Sequence, residues 1–348
     1  MNTIPAKEVG VMMTAQMNID ETLEIMRNQN IDTSEVVGAK TNKDKKDIIS
    51  LYQLMERIPD EEAAVAYLEE LRWGERLYCP KCGSLDAKRS ETGPMSHWCP
   101  DCRRFFSVRT GTVMACSQLP LRKWIMAVHL IHSNRKGINS VQIQNELGTT
   151  YKTAWFLMHR IREGMQDEDR WLEGVVEIDE TYIGGREYNK HASKKTHTKT
   201  ECKIPVMGFK ERDGKVLAFP VIDTERDTLK LRVFENVHPD SKVYTDGHYG
   251  YSPLAKLGYD RESVSHRNGE YVRGDVTTNG IESFWSLLKR GYIGVYHYMS
   301  PQHLHRYANE FACRQNEGPG NGFATIGRAF ARMNGKRLTY KQLTGRRF

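Results

Sequence analysis

The sequence predicts an α/β protein: a mixed sheet with helices in the second half, preceded by a zinc ribbon and a helix-turn-helix-like helical region. Three observations carry that prediction. Two Cys-x-x-Cys pairs, Cys79/Cys82 and Cys99/Cys102, lie sixteen residues apart near the front. Apolar runs at helical spacing follow between residues 121 and 165. From residue 171, β-branched runs alternate with a hairpin and helical runs, the order of a sheet covered by helices.

A length of 348 residues suggests two or three domains. The balance of 39% hydrophobic and 27% charged residues is that of a soluble globular chain. No apolar run reaches about 18 residues, so no membrane-spanning helix is expected. The start "MNTIPAKEVGVMM" lacks the basic opening and long apolar block of a secretory signal. A cytoplasmic location follows, nucleoid-associated when DNA is bound. The net charge of +7 is unevenly placed: six Lys/Arg fall within 186–203 and eight within 314–348. Clustered positive charge suits a polyphosphate partner.

Residues 1–48 read as an N-terminal extension, helical over "DETLEIMRNQ" or partly disordered, with a "TNKDKKD" linker at 41–47 and no chemistry. Residues 49–76 form a helical lead-in, strongest in "PDEEAAVAYLEELRW".

The ribbon occupies 77–115. Each Cys-x-x-Cys knuckle turns tightly enough to aim two thiolates at one ion, and two knuckles complete a tetrahedral site. Four thiolates leave no open position, so the expected Zn²⁺ is structural. The segment has little core of its own, so metal binding should supply its folding energy. A cytosolic chain makes disulfides the weaker reading. Cys116, Cys202 and Cys313 show no ligand spacing and read as ordinary thiols. In "CRRFFSVRTGTVM", Arg103, Arg104 and Arg109 flank Phe105 and Phe106. That is either a ribbon strand with a phosphate-facing edge or strand packing with exposed arginines.

Residues 118–168 form the helix-turn-helix-like region. "LRKWIMAVHLIHSN" reads as a mostly buried helix. "GINSVQIQNELG" is a short helix ending at Gly148. "TTYKTAWFLMHRIREGM" is a longer one, with Thr149 or Thr150 as cap. Trp155, Met158, Ile161 and Met165 recur at helical spacing on a core face. Tyr151, Lys152, His159, Arg160 and Arg162 are left for an outer face, where a second helix would meet DNA.

Residues 171–316 supply the sheet, and 317–348 a basic C-terminal segment. "WLEGVVEIDETYIGG" is a strand with Asp179 near its end. "IPVMGFKERDGKVLAFPVID" is a hairpin turning at Asp213-Gly214. "TLKLRVFENV" is helical, and "SKVYTDGHYGY" is a strand ending at Asp246. In "NGIESFWSLLKRGY", Ile281, Phe284 or Trp285, and Leu288 share one helix face, while Asn279, Glu282, Ser286 and Lys289 share the opposite one. Two strand-end aspartates and one helical glutamate can converge at one sheet edge. Hard divalent cations, Mg²⁺ or Mn²⁺, take such oxygen ligands, and a pair of them serves phosphoryl transfer. Glu282 takes the ligand role, and Asn279 orients it or contacts DNA.

In this order, "CPKCGS", "WCPDCRRFFSVRTGTVM", "VEIDETYIGG", "VYTDGHYGY", "GEYVRGDVTTNGIESFWSLLKRGYIGVYHYMS" and "HLHRYANEFACRQN" resemble bacterial insertion-sequence transposases of the DDE type. The group is the one with a zinc ribbon ahead of a ribonuclease-H-like catalytic domain (the IS1595 group, ISXO2-like). The resemblance spans about residues 50–345. It implies that Asp179, Asp246 and Glu282 form the catalytic triad holding two ions, with 35 residues between the last two acids. It implies that Lys289 matches the basic residue seven positions past the third acid. Terminal inverted repeats and target DNA are the implied partners, joined in a homo-oligomeric synaptic complex. Lys289, Arg290, Asn279, Lys152, Arg160, Arg103 and Arg104 are the candidate DNA contacts. Two rivals stand beside this reading: a non-catalytic DNA-binding regulator, which would not need the acid set, and a nuclease that cuts without joining strands.

Overall fold

The computed structural model describes residues 48–166, 171–185, 203–265, 269–318 and 320–345. The N-terminal extension, Cys202 and the basic stretch at 186–202 lie outside the described residues. The chain forms two compact units. The first collects the described residues up to Ser133, then Trp155–Gly164 and those from Gly320 onward. The second holds Asn134–Ala154 and the described residues from Met165 to Gly318.

In the first unit, α1 (Leu51–Arg57) opens with a Ser50/Gln53 capping box, and α2 (Glu61–Trp73) opens under an Asp60 cap. The ribbon follows as three short antiparallel strands, β1 (Lys88–Arg89), β2 (His97–Cys99) and β3 (Arg104–Phe106). Its inner face does not rest on metal alone. His97 and Phe106 pack edge-on against Trp73 at the end of α2, with ring centroids 4.9 and 5.9 Å away. The ribbon therefore takes part of its core from the lead-in helix. Arg109 turns inward as well, toward Glu61 at 3.4 Å and the Ser117 carbonyl, whereas Arg103 and Arg104 are exposed.

Next comes α3 (Leu121–Ser133), which packs on α1 and α2. Its first free backbone N–H groups are satisfied from another helix: Glu61 accepts from Leu121 N at 2.7 Å and from Arg122 N at 3.0 Å. The basic C-terminal segment is not a loose tail over its described length. Helix Phe323–Ala331 buries Ile326 and Phe330 and packs on α2 and α3, and helix Tyr340–Thr344 buries Leu343. Arg314, counted in the 314–348 charge cluster, is buried in the second unit and paired with Glu310 at 3.0 Å.

The helical pair forms as α4 (Ser140–Leu147) and α5 (Tyr151–Gly164). Gly148 closes α4 in the left-handed region, and Thr150 caps α5 through Thr153 N. The pair is not a unit of its own, because α4 and the first turn of α5 fall in the second unit and the rest of α5 in the first. The expected outer face holds only for Tyr151 and Lys152, which are exposed. His159, Arg160 and Arg162 are buried. Arg160, expected to contact DNA, donates to the Ala115 carbonyl and lies over the rings of Trp124 and Phe156 at 5.2 and 5.1 Å. A flat guanidinium stacks on aromatic faces where an ammonium would not fit as well. Burial lowers its pKa to about 10. It is a core residue of the first unit.

The second unit is built on a mixed five-stranded sheet, β4 (Val175–Ile183), β5 (Ile204–Glu211), β6 (Val216–Pro220), β7 (Lys242–Asp246) and β8 (Asp260–Val264), in the order β6-β5-β4-β7-β8. β5 runs antiparallel to both β4 and β6, while β7 and β8 run parallel to β4. One face carries Val176, Ile178, Met207, Phe209 and Val243, packed with Leu229 and Val233 of α6 (Arg226–Asn236). The other face receives α7 (Asn279–Gly291), through Ile281, Phe284, Trp285 and Leu288, and α8 (Leu304–Glu317), through Leu304, Tyr307 and Phe311. Burying one such side chain is worth about 1.5–3 kcal/mol, so four of them fix α7 firmly on the sheet. A short hairpin, β9 (Val272–Arg273) and β10 (Val276–Thr277), leads into α7. Neither β8 nor this hairpin was expected from the sequence. "DRESV" is charged because β8 is an edge strand, and charge protects edges.

Candidate functional site: a thiolate cluster and a carboxylate cluster

The four ribbon cysteines converge, with all four sulfurs within 4.8 Å of one another. Cys79 lies 3.7 Å from Cys102, and Cys82 lies 3.6 Å from Cys99. A tetrahedral zinc ion with bonds of about 2.3 Å spaces its sulfurs about 3.8 Å apart, so the donor set and its spacing fit Zn²⁺. The first knuckle is closed by Gly83 N to Cys79 O at 2.9 Å and Cys79 N to Ser84 O at 2.8 Å. Both knuckles need a left-handed residue directly after the second cysteine. Gly83 fills that place at φ +74°, and Arg103 fills its counterpart at φ +51°.

The three acids come together by sheet register and helix docking. The parallel pairing of β4 with β7 ends at Ile178↔Thr245. The next residues on each strand are Asp179 and Asp246, which places them side by side at the carboxyl end of the parallel pair, where α/β sheets bind ligands. Asp179 is not at the end of its strand, as expected, because β4 continues to Ile183 against β5. It stands instead where β4 loses its β7 neighbour. Glu282 projects from the first turn of α7.

Each acid has one oxygen held by a hydrogen bond. Trp285 Nε1 donates to Asp179 Oδ2 at 3.0 Å. The His248 backbone N–H donates to Asp246 Oδ1 at 2.9 Å. The Thr278 hydroxyl donates to Glu282 Oε1 at 2.9 Å. The orienting contact on Glu282 is thus from Thr278, while Asn279 is exposed. Gly208, paired with Asp179 across the sheet, leaves room for the Trp285 indole: a Cβ there would lie 2.4 Å from its ring. Arg261 of β8 backs the cluster through the Thr245 hydroxyl and the Asp246 carbonyl, at 2.9 and 3.3 Å.

The electrostatics follow from burial and crowding. Burial first, with the charges of Asp246 and Glu282 and against the Glu180 backbone and Trp285 donors, raises the pKa of Asp179 to about 6. Glu180, on the opposite strand face, is raised to about 8, chiefly by burial, and accepts a hydrogen bond from Tyr251. Such a donor set, costly to ionise without a counterion, suits a hard cation. The oxygens of Asp179, Asp246 and Glu282 do not form a single group within 4.8 Å.

Around it, Lys289 and Arg290 are exposed on α7. Sequence reasoning missed Trp285 and Thr278 as polar partners of the acids. It also missed Glu177, two residues before Asp179 on the same strand face, a charge inside the apolar run "VVEI". Among the described residues, no helix is long and apolar enough to cross a membrane.

Comparison with known proteins agrees with this architecture. Residues 171–316 match the ISXO2-like transposase domain, and residues 59–105 match the transposase zinc-ribbon domain. A protein described as "Uncharacterized protein in transposable element ISH50", from Halobacterium salinarum, is 32% identical over 269 residues, covering 73% of this chain and 90% of that protein. A chain of the simian T-cell lymphotropic virus intasome in complex with PP2A regulatory subunit B56 gamma aligns with 54% of this chain and 65% of its own length. At 13% identity and a TM-score of 0.25 it carries no argument. The ribbon, the mixed sheet and the relative encoded in a transposable element agree: this chain belongs to the ISXO2-like family of insertion-sequence transposases.

Proposed function

We propose that the chain is a DDE-type transposase that binds the terminal inverted repeats of its element, cleaves there and joins the freed ends to target DNA. The observation that carries this reading is the register of β4 and β7, which sets Asp179 beside Asp246 under the helix that bears Glu282. Asp179, Asp246 and Glu282 would hold two Mg²⁺ or Mn²⁺ ions, which supply activation of the attacking oxygen and neutralise the leaving one. Carboxylates spread wider than a one-ion ligand group suit two ions about 3.5–4 Å apart.

The chain's own residues orient and discharge. Trp285, His248 and Thr278 each pin one carboxylate oxygen, so that the acids meet incoming cations in fixed orientations. Without cations, Asp179 holds a proton below about pH 6 and loses it above. Water first hydrolyses the phosphodiester at the 3′ end of the element. The 3′-OH released there then attacks a phosphorus of target DNA: a new phosphodiester forms to the element's 3′ oxygen as the bond to the target's own 3′ oxygen breaks, which leaves as a 3′-OH. No covalent protein–DNA intermediate is needed. Lys289, Arg290 and Asn279 on the exposed side of α7 hold phosphates near the acids, and Lys152, Arg103 and Arg104 do so from the helical region and the ribbon. Two element ends must be joined, which calls for a homo-oligomeric synaptic complex.

The test is cleavage and strand joining on DNA carrying an element end, with and without Mg²⁺. Asp179→Asn, Asp246→Asn and Glu282→Gln should each lower both steps at least 100-fold. Near-wild-type activity in all three would remove the site assignment. Strand joining from a pre-cut end separates a transposase from a nuclease.

A further inference from the structure

We propose that Glu177 is a positioning residue for Glu282: its buried carboxylate closes the N-terminus of α7 and sets the depth at which that helix brings Glu282 to the sheet. The inference rests on the carboxylate-site reading above and extends it to a residue outside the triad.

Locally, the first turn of α7 is served by the Thr277 hydroxyl, which accepts from Asn279 N at 3.2 Å. Thr278, at the N-cap position, makes no side-chain capping bond, and its hydroxyl is committed to Glu282. The acceptor for the third N–H of the helix comes from 104 residues away: Glu177 Oε2 receives the Ile281 N–H at 3.1 Å. Backbone donors in the first turn of a helix need such a partner, and negative charge there is favoured by the helix dipole. The approach is possible only because residue 280 is glycine. A Cβ on Gly280 would stand 2.7 Å from Glu177 Oε2.

Glu177 is 3% exposed. A carboxylate so buried needs compensation. Arg212 supplies it at 3.6 Å, with Lys210 opposite in the sheet register. Alternation along β4 puts Glu177 and Asp179 on the same strand face. One strand therefore carries an acid of the site and, one step back, the contact that places another. The first unit shows the same device at α3, whose N-terminus is closed by Glu61. There the capped helix bears none of the three acids.

The test uses the full chain with its zinc. Mn²⁺ binding is read by calorimetry without DNA, and kcat and KM are read on end-containing DNA. Glu177→Ala should weaken Mn²⁺ binding about 10-fold and lower kcat by a similar factor, the range expected when a partner of a metal ligand is lost, with KM for DNA unchanged. Glu177→Gln keeps an acceptor oxygen for Ile281 and should stay within about threefold of wild type; a Gln variant as weak as the Ala variant would overturn the inference. So would a folded Glu177→Ala protein that melts lower but binds Mn²⁺ as wild type does, since that is a purely structural role. Gly280→Ala strains the same contact from the helix side and should show the same loss, which keeps the test open if the Ala variant does not fold. Asp179→Asn serves as the reference. If it leaves Mn²⁺ binding intact, the carboxylate-site reading fails; if it abolishes binding while Glu177→Ala does not, only the positioning role fails.

Discussion

The two clusters are built in opposite ways. The thiolates come from one stretch, residues 79–102, and local turns set their spacing. The carboxylates come from two strands and a helix, and a sheet register and a docked helix set theirs. A locally encoded site assembles as its ion binds. The fold sets the carboxylate cluster with or without an ion, and burial there raises the pKa of Asp179. The first kind should fail when its ion is removed. The second should survive, and even be relieved when an acid is removed.

The largest expected effect breaks the comparison at the ribbon. Structural zinc contributes on the order of 10 kcal/mol in isolated zinc modules. Removing it with a chelator, or replacing Cys99 with Ser, should unfold residues 77–108. Amide exchange there should speed up by several orders of magnitude, and Trp73 fluorescence should change as its contacts with His97 and Phe106 are lost. Amides of β4, β5 and β7 should keep their protection. If sheet and ribbon lose protection together, the two clusters are not independent.

A smaller effect of opposite sign is expected at the carboxylates. Asp179 has a folded pKa near 6, above its ordinary value of 3.8. The folded state then binds more protons than the unfolded state between those values, so stability falls as pH rises from about 4 through about 6 and levels off above. One pKa unit is worth about 1.4 kcal/mol, which bounds the loss at about 3 kcal/mol. Asp179→Asn should therefore abolish strand cleavage yet raise the melting temperature at pH 7 without added divalent ions. Added Mg²⁺ should stabilise the wild type and not the variant. A variant that melts no higher than wild type at pH 7 would show that Asp179 carries no such burden.

How much of each cluster could be read from the sequence follows the same division. The ribbon's ligand set was legible, because Cys79, Cys82, Cys99 and Cys102 state their geometry in their spacing, while the Trp73 packing and the inward turn of Arg109 were not. The acids were legible as residues, but what holds them was not. Trp285 reaches Asp179 across 106 positions, and Ile281 reaches Glu177 across 104. Neither partnership leaves a local pattern beyond a charge inside an apolar run. Arg160 failed in the converse way. Its charge argued for solvent, and only the Ala115 carbonyl and the rings of Trp124 and Phe156 explain its place in the core. Arg160→Ala should thus cost about 2–4 kcal/mol of stability through lost packing and an unpaired carbonyl. It should leave the salt dependence of DNA binding unchanged, whereas Lys152→Ala on the same helix should do the reverse.

The smallest effect lies inside the ribbon, where its two knuckles differ at one position. Gly83 takes the left-handed turn freely, while Arg103 takes it with a side chain, at a cost of about 1–2 kcal/mol. Glycine would relieve that cost but lose about 0.5–1 kcal/mol to the freedom of the unfolded chain. Arg103→Gly should then tighten zinc retention by a factor of about two, read by competition with a chelator. An exposed arginine held in a strained turn calls for a function that glycine cannot supply. If that function is a phosphate contact, the same variant should weaken DNA binding equally for end and non-end sequences and reduce the salt slope by about one. Tighter zinc with unchanged DNA binding would place Arg103 off the DNA, and the phosphate-facing edge of the ribbon would then rest on Arg104 alone.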